Sequence, residues 1–133
     1  MQKKILIIDD DPAIRKSFAL SLEDLHYETQ TVSSGEHGIA AVSQQPYHLI
    51  YLDLKMPGLN GVETLLRIRE IDDKVPIYII TAFHGEFFHE LRQAQQDGIS
   101  FDLLRKPISL DEIAAISHSL LSGAILSQES ELS

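Results

Sequence analysis

Four short apolar runs in this chain each stop at a polar residue of a different chemical kind. Ile5-Leu6-Ile7-Ile8 ends in Asp9-Asp10-Asp11, Leu49-Ile50-Tyr51-Leu52 in Asp53, Ile77-Tyr78-Ile79-Ile80 in Thr81, and Leu103-Leu104-Arg105 in Lys106-Pro107. Continuous apolar runs of this length, rich in β-branched residues, are the signature of strands buried on both faces of a parallel sheet. Parallel strands bring all their C-terminal ends to one edge. An acid cluster, a lone aspartate, a hydroxyl and an ammonium then converge in one cleft. That set suits the handling of a phosphoryl group with a divalent cation.

The segments between the runs read as helices. Asp11-Pro12 is a helix start, with aspartate as N-cap and proline at the first helical position. Ile14, Phe18, Leu22 and Leu25 follow at helical spacing. A second strand, 27–32, is less apolar and belongs near an edge. Ser34-Gly35 opens a helix that Pro46 closes. After the third strand, 48–53, the turn signals Pro57-Gly58 and Asn60-Gly61 lead into a helix over 62–72 with Leu65, Leu66 and Ile68 inward. The fourth strand spans 75–81. A helix over 86–97 carries Phe87, Leu91 and Ala94 on one face and stops at Gly98, and Phe88 is the outward member of the Phe87-Phe88 pair. The fifth strand spans 101–105. Ser109 caps the last helix in a capping box with Glu112, and Leu110, Ile113, Ile116 and Leu120 form its stripe. From Ser122 the residues turn polar, and fraying or the start of a linker is expected.

Five strands alternating with five helices predict an α/β fold: one three-layer α/β/α domain over 1–121, followed by a polar tail over 122–133. The first and third strands are the most apolar and so central. With right-handed crossovers this gives the strand order 2-1-3-4-5, and a switch-point crevice beyond strands 1 and 3. Asp9, Asp10 and Asp53 fall there.

Composition removes several function classes. The 133 residues carry a formal net charge of −9, with no long basic cluster, so the chain is not expected to bind nucleic acid by itself. With no cysteine there is no disulfide framework, thiolate chemistry or cysteine zinc site. A strand begins almost at Met1 and no apolar run is long enough for a bilayer, so neither a signal peptide nor a membrane span is expected, and the expected location is cytoplasmic. The six histidines, at positions 26, 37, 48, 84, 89 and 118, lack metal-ligand spacing; His84 alone is near enough to the cleft to touch a phosphate.

Crowded carboxylates either take up protons or bind a cation, and an all-oxygen donor set suits Mg²⁺ or Mn²⁺. Asp10 and Asp53 are the expected ligands, with Asp9 beside them or acting through water, and the backbone carbonyl of Lys55 completing the set. Asp11 is assigned to the helix cap. Asp53 is the candidate nucleophile toward an incoming phosphoryl group, giving an acyl phosphate. Lys106 is a point charge for the phosphoryl oxygens, and Thr81 a hydrogen-bond donor to one of them.

The residues Ile7-Ile8-Asp9-Asp10-Asp11-Pro12, Leu52-Asp53-Leu54-Lys55-Met56-Pro57 with Asn60-Gly61, Ile80-Thr81-Ala82 and Arg105-Lys106-Pro107 resemble the receiver domain of two-component response regulators. The resemblance covers Lys4 to about Leu121. It implies a flavodoxin-like, chemotaxis-type receiver that takes a phosphoryl group from a sensor histidine kinase or phosphotransfer protein onto Asp53, with Mg²⁺ held by Asp9 and Asp10. It implies a switch in which Thr81 moves inward and an aromatic on strand 5 follows. The altered face of helix 4, strand 5 and helix 5 then meets an output domain or a second copy. Here the aromatic's position is Leu103, with Phe101 two residues earlier on the same strand face, and the stretch from Thr81 to Lys106 is longer than is usual. Lys55 and Phe83 occupy positions that tune acyl-phosphate lifetime, and a bulky Phe83 would shield it from water.

Three rivals fit less well. A phosphohydrolase of the haloacid dehalogenase type needs a second aspartate two residues after the nucleophile, where this chain has Lys55. A flavin module needs a Ser/Thr/Gly-rich cradle after strand 1, where three aspartates would repel the phosphate. A receiver-like scaffold that is never phosphorylated has no need of the complete acid, hydroxyl and ammonium set.

Overall fold

The computed structural model describes residues 2–82, 85 and 87–132, with side chains described as far as Ser122. Phe83, His84 and Glu86, on which a shielding role, a phosphate contact and the start of a helix were expected, lie outside these. The elements run β1 (Lys4–Ile8), α1 (Pro12–Glu23), β2 (Glu28–Val32), α2 (Gly35–Gln44), β3 (Leu49–Asp53), α3 (Gly61–Ile71), β4 (Ile77–Thr81), α4 (Phe88–Gln96), β5 (Asp102–Arg105) and α5 (Leu110–Leu132). The strands form one parallel sheet in the order β2-β1-β3-β4-β5, as the sequence predicts. Among the described residues no helix is long and apolar enough to cross a membrane.

Alternation along the strands divides the core in two. Leu6, Ile8, Ile50, Leu52, Ile77 and Ile79 face one layer with Ala41, Val42, Leu65, Ile68 and Leu91 from α2, α3 and α4. Ile5, Ile7, Leu49, Tyr51 and Ile80 face the other with Phe18, Leu22 and Ile113 from α1 and α5. In the second layer the Tyr51 ring meets Phe18 edge-on, with centroids 5.9 Å apart, and its hydroxyl hydrogen-bonds Ser117 Oγ at 2.7 Å.

Helix starts follow the expected chemistry. Asp11 caps α1 by accepting from the Ala13 N–H at 2.9 Å. Ser109 and Glu112 form the capping bonds of α5. Asn60 accepts from the Glu63 N–H at 3.0 Å while the Glu63 carboxylate accepts from the Asn60 N–H at 3.2 Å. Asn60→Ala removes one arm of this reciprocal pair and should lower stability by about 1 kcal/mol in urea denaturation. A loss indistinguishable from zero would show the box to be idle.

Some details differ from expectation. Leu25 lies beyond α1, which ends in a turn where His26 takes φ 66°, and it is partly exposed. Leu66 is 38% exposed, while Thr64 and Arg69 take inward positions on α3. Each has a polar partner there: Thr64 Oγ1 donates to the Asn60 carbonyl, and Arg69 donates twice to the Ser100 carbonyl. On α5, Ile113 is fully buried but Leu110 and Leu120 are largely exposed, and Leu121 packs against the core instead of Leu120. The helix continues to Leu132 through the polar stretch expected to fray.

Candidate functional site

The expected acid, hydroxyl and ammonium residues sit at or just beyond the C-terminal ends of strands. Asp9 follows β1, Asp53 ends β3, Thr81 ends β4 and Lys106 follows β5. Together with Asp10 and Lys55 they line one cavity of about 540 Å³. Backbone bonds hold its floor: Leu54 N–H to the Ile80 carbonyl at 3.0 Å, Gly61 N–H to the Leu54 carbonyl at 2.7 Å, and Lys106 N–H to the Thr81 carbonyl at 2.7 Å. The Lys106–Pro107 peptide is cis.

The acids are close. Asp9, Asp10 and Asp53 each offer a carboxylate oxygen within 4.8 Å of the others. Asp9 and Asp53 are buried, at 2% and 5% exposure, while Asp10 is open to solvent. Lys106 Nζ lies 3.1 Å from Asp53 Oδ1. One Asp9 oxygen accepts from the Asp11 N–H at 2.9 Å. Asp11 itself is committed to the α1 cap, as expected.

Burial pushes the Asp53 carboxyl up to about 6, with the Asp9 charge adding to the rise and Lys106 opposing it. Burial raises Asp9 too, against the Asp11 N–H and the Lys106 charge. One ammonium therefore does not balance the cluster. Hard oxygen donors carrying uncompensated negative charge fit a small divalent cation such as Mg²⁺ or Mn²⁺.

This electrostatic imbalance has a testable sign. A carboxyl raised in the native state binds more protons folded than unfolded, so its contribution to stability falls as pH rises through its folded value. Without divalent cations, Asp53→Asn should therefore be more stable than the parent at about pH 7.5, by on the order of 2–3 kcal/mol, and should lose most of that advantage by about pH 4. Paired urea titrations in a chelator measure it. A variant no more stable than the parent at the higher pH would show the charge to be well compensated.

Leu103 also reaches the cavity and is 47% exposed. Phe101 precedes β5, is half-buried, and packs against the core layer under α3 and α4. Phe87, Phe88 and Leu91 of the α4 region extend the cavity wall with apolar surface. As expected, Phe88 is the outward member of its pair, half-exposed beneath the Arg92 guanidinium, 4.9 Å from its ring centre. His48 accepts from the Lys4 N–H through Nδ1 and His37 pairs with Ser34 Oγ, both ordinary local contacts.

Sequence reasoning missed Arg15, whose Nη1 donates to the Asp9 carbonyl at 2.7 Å. A signal was present. Long side chains on a helix point back toward its N-terminus, and Arg15 is four residues after the Asp11 cap.

Residues 5–118 match the family model described as the response regulator receiver domain. The chain is 35% identical over 112 residues to the transcriptional regulatory protein QseB of Haemophilus influenzae, which covers 84% of this chain and 49% of that protein. It is 33% identical over 112 residues to the transcriptional regulatory protein TcrA of Mycobacterium tuberculosis, covering 84% and 43% respectively. The chain thus spans about half the length, or less, of these relatives. A receiver domain protein described as CheY-like, from Methanospirillum hungatei, superimposes with a TM-score of 0.80 at 23% identity, over 98% of this chain and 99% of that one. At that identity the likeness is one of fold.

Proposed function

The chain belongs to the response regulator receiver domain family of two-component signalling, and from that we propose that it accepts a phosphoryl group on Asp53 and thereby changes the surface it offers a partner. Domains of this family are signalling modules rather than conventional enzymes. On this reading the only chemistry this one performs is on its own aspartate. The observation that carries the proposal is the setting of Asp53: a buried carboxylate at the floor of an open cavity, 3.1 Å from an ammonium and within 4.8 Å of two further acids.

In the reaction, a carboxylate oxygen of Asp53 forms the new O–P bond. The bond from phosphorus to the donor's leaving atom breaks, and the leaving group departs with that electron pair. Lys106 is already against Asp53, so its charge can pass to the phosphoryl oxygens without a large movement. Thr81 donates to one of those oxygens. Burial of Asp53 limits the water around its carboxylate before attack. Asp9, Asp10 and Asp53, with the Lys55 carbonyl, would hold Mg²⁺, which supplies positive charge beside the transferring group.

The donor is a sensor histidine kinase or a phosphotransfer protein. Addition of about two negative charges biases the loops around the cavity. Thr81 and Leu103 are the residues placed to respond, with Phe101 behind them. The output is a changed face of α4, β5 and α5, read by an output domain or a second copy. With a net charge of −9, this domain leaves any contact with nucleic acid to another part of the protein.

Incubation with Mg²⁺ and a small acyl phosphate, followed by intact mass measurement, tests the proposal. One phosphoryl group should be gained, and a chelator should prevent it. Lys106→Ala should slow the gain roughly a hundred-fold, the scale of losing one donor to a developing oxyanion. Unchanged uptake in that variant would remove Lys106 from the chemistry.

A further inference from the structure

We propose that Arg15 is a positioning residue for the divalent-cation site, fixing the peptide that joins Asp9 to Asp10. The inference rests on the reading of these acids as cation ligands, and it begins with an unpaired carbonyl. Ladder pairing of β1 with both neighbours ends at Ile8. The Asp9 N–H still finds the Val32 carbonyl at 3.1 Å. Its carbonyl has run past the ladder on both sides, and a buried carbonyl without a donor is costly. Arg15 supplies that donor through Nη1 at 2.7 Å.

The carbonyl of Asp9 and the N–H of Asp10 belong to one rigid plane. Holding the carbonyl therefore fixes the direction in which Asp10 leaves the backbone. The Asp11 N–H holds an Asp9 carboxylate oxygen at 2.9 Å. Asp9 is thus held at its N–H, its carbonyl and one side-chain oxygen, leaving the other oxygen for a cation. Arg15 is itself anchored, because its N–H donates to the Asp11 carbonyl at 3.1 Å in the first turn of α1. The side chain is half-buried, so the guanidinium is held rather than waving in solvent. Its hydrogen bond goes to a backbone oxygen, so it orders the acids without occupying a ligand oxygen.

Groups behind a metal ligand typically account for roughly ten- to hundred-fold in metal affinity. The test is Mg²⁺ titration by calorimetry, without phosphodonor, on the parent, on Arg15→Met and on Arg15→Lys. Met keeps an aliphatic stem and removes both charge and donor. Roughly ten-fold weaker binding is expected for Met, with Lys between it and the parent because a point charge with a donor replaces only part of the planar group. Phosphoryl uptake by the Met variant should approach the parent rate at saturating Mg²⁺, separating a positioning role from a catalytic one. Equal Mg²⁺ affinity in the parent and a folded Met variant overturns the proposal, whatever happens to melting temperature. If Met fails to fold, parent-like affinity in Lys overturns it. A parent that binds no Mg²⁺ overturns both this inference and the cation reading beneath it.

Discussion

Asp53→Asn protein should gain no phosphoryl group under conditions in which the parent is converted within minutes. The amide lacks the carboxylate electron pair and charge that the new O–P bond requires. The fold should survive, because Asn is nearly isosteric and the variant relieves charge crowding. A loss of uptake with retained or increased stability separates chemistry from collapse. Intact mass and urea denaturation on the same preparation provide both readings. If the variant takes up phosphate as fast as the parent, the acceptor is another residue, and the 3.1 Å pairing of Asp53 with Lys106 is only a salt bridge.

The second large effect is expected at Gly61, the first residue of α3. A Cβ there would lie 2.6 Å from Leu54 Cα and 2.7 Å from the Asp53 carbonyl oxygen. Both are backbone atoms, so no side-chain rotation relieves the clash. Gly61→Ala must push α3 away from the sheet or push the end of β3 out of place. A loss of about 2–3 kcal/mol is expected, at the upper end for added core volume. Asp53, the proposed phosphoacceptor, belongs to the displaced segment, so uptake should slow as well. Ala at the exposed Gly85 is a useful contrast: its φ of +79° strains any side chain, but nothing lies within 4 Å of the added Cβ. Full stability and normal uptake in Gly61→Ala would show that the α3–β3 junction tolerates more movement than its packing indicates.

The sheet and its cleft were legible because buried parallel strands announce themselves as unbroken apolar runs, and each run here ends in chemistry. Strand limits moved by a residue or two, since ladder partners across the sheet set them. Helix starts were legible because caps are local: Asp11-Pro12 and Ser109 with Glu112 need no distant partner, whereas Asn60 read only as a turn signal and its box with Glu63 emerged in the structure. What remained hidden involved residues remote in sequence or polar residues in apolar slots. Arg69 faces inward because Ser100, 31 residues later, offers it a carbonyl. Thr64 displaces Leu66 from the buried face of α3 because its hydroxyl is satisfied within the helix. Arg15 was overlooked because its partner is a main-chain oxygen, and a sequence shows main-chain oxygens everywhere alike.

The hydroxyl pair between Tyr51 and Ser117 bears on how a change at Asp53, the proposed acceptor, would travel. Tyr51 stands two residues before Asp53 on the same strand, and Ser117 sits in the first half of α5 in a dry environment. Sliding that helix along the sheet by one turn would strand the Tyr51 hydroxyl, at a cost of roughly 1–3 kcal/mol, while Ser117 would keep its bond to the Ile113 carbonyl in the same helix. The long last helix is therefore pinned in its first half to the strand that bears the proposed acceptor. It can pivot about the pin more easily than it can translate, so its outer end should be swung rather than pulled.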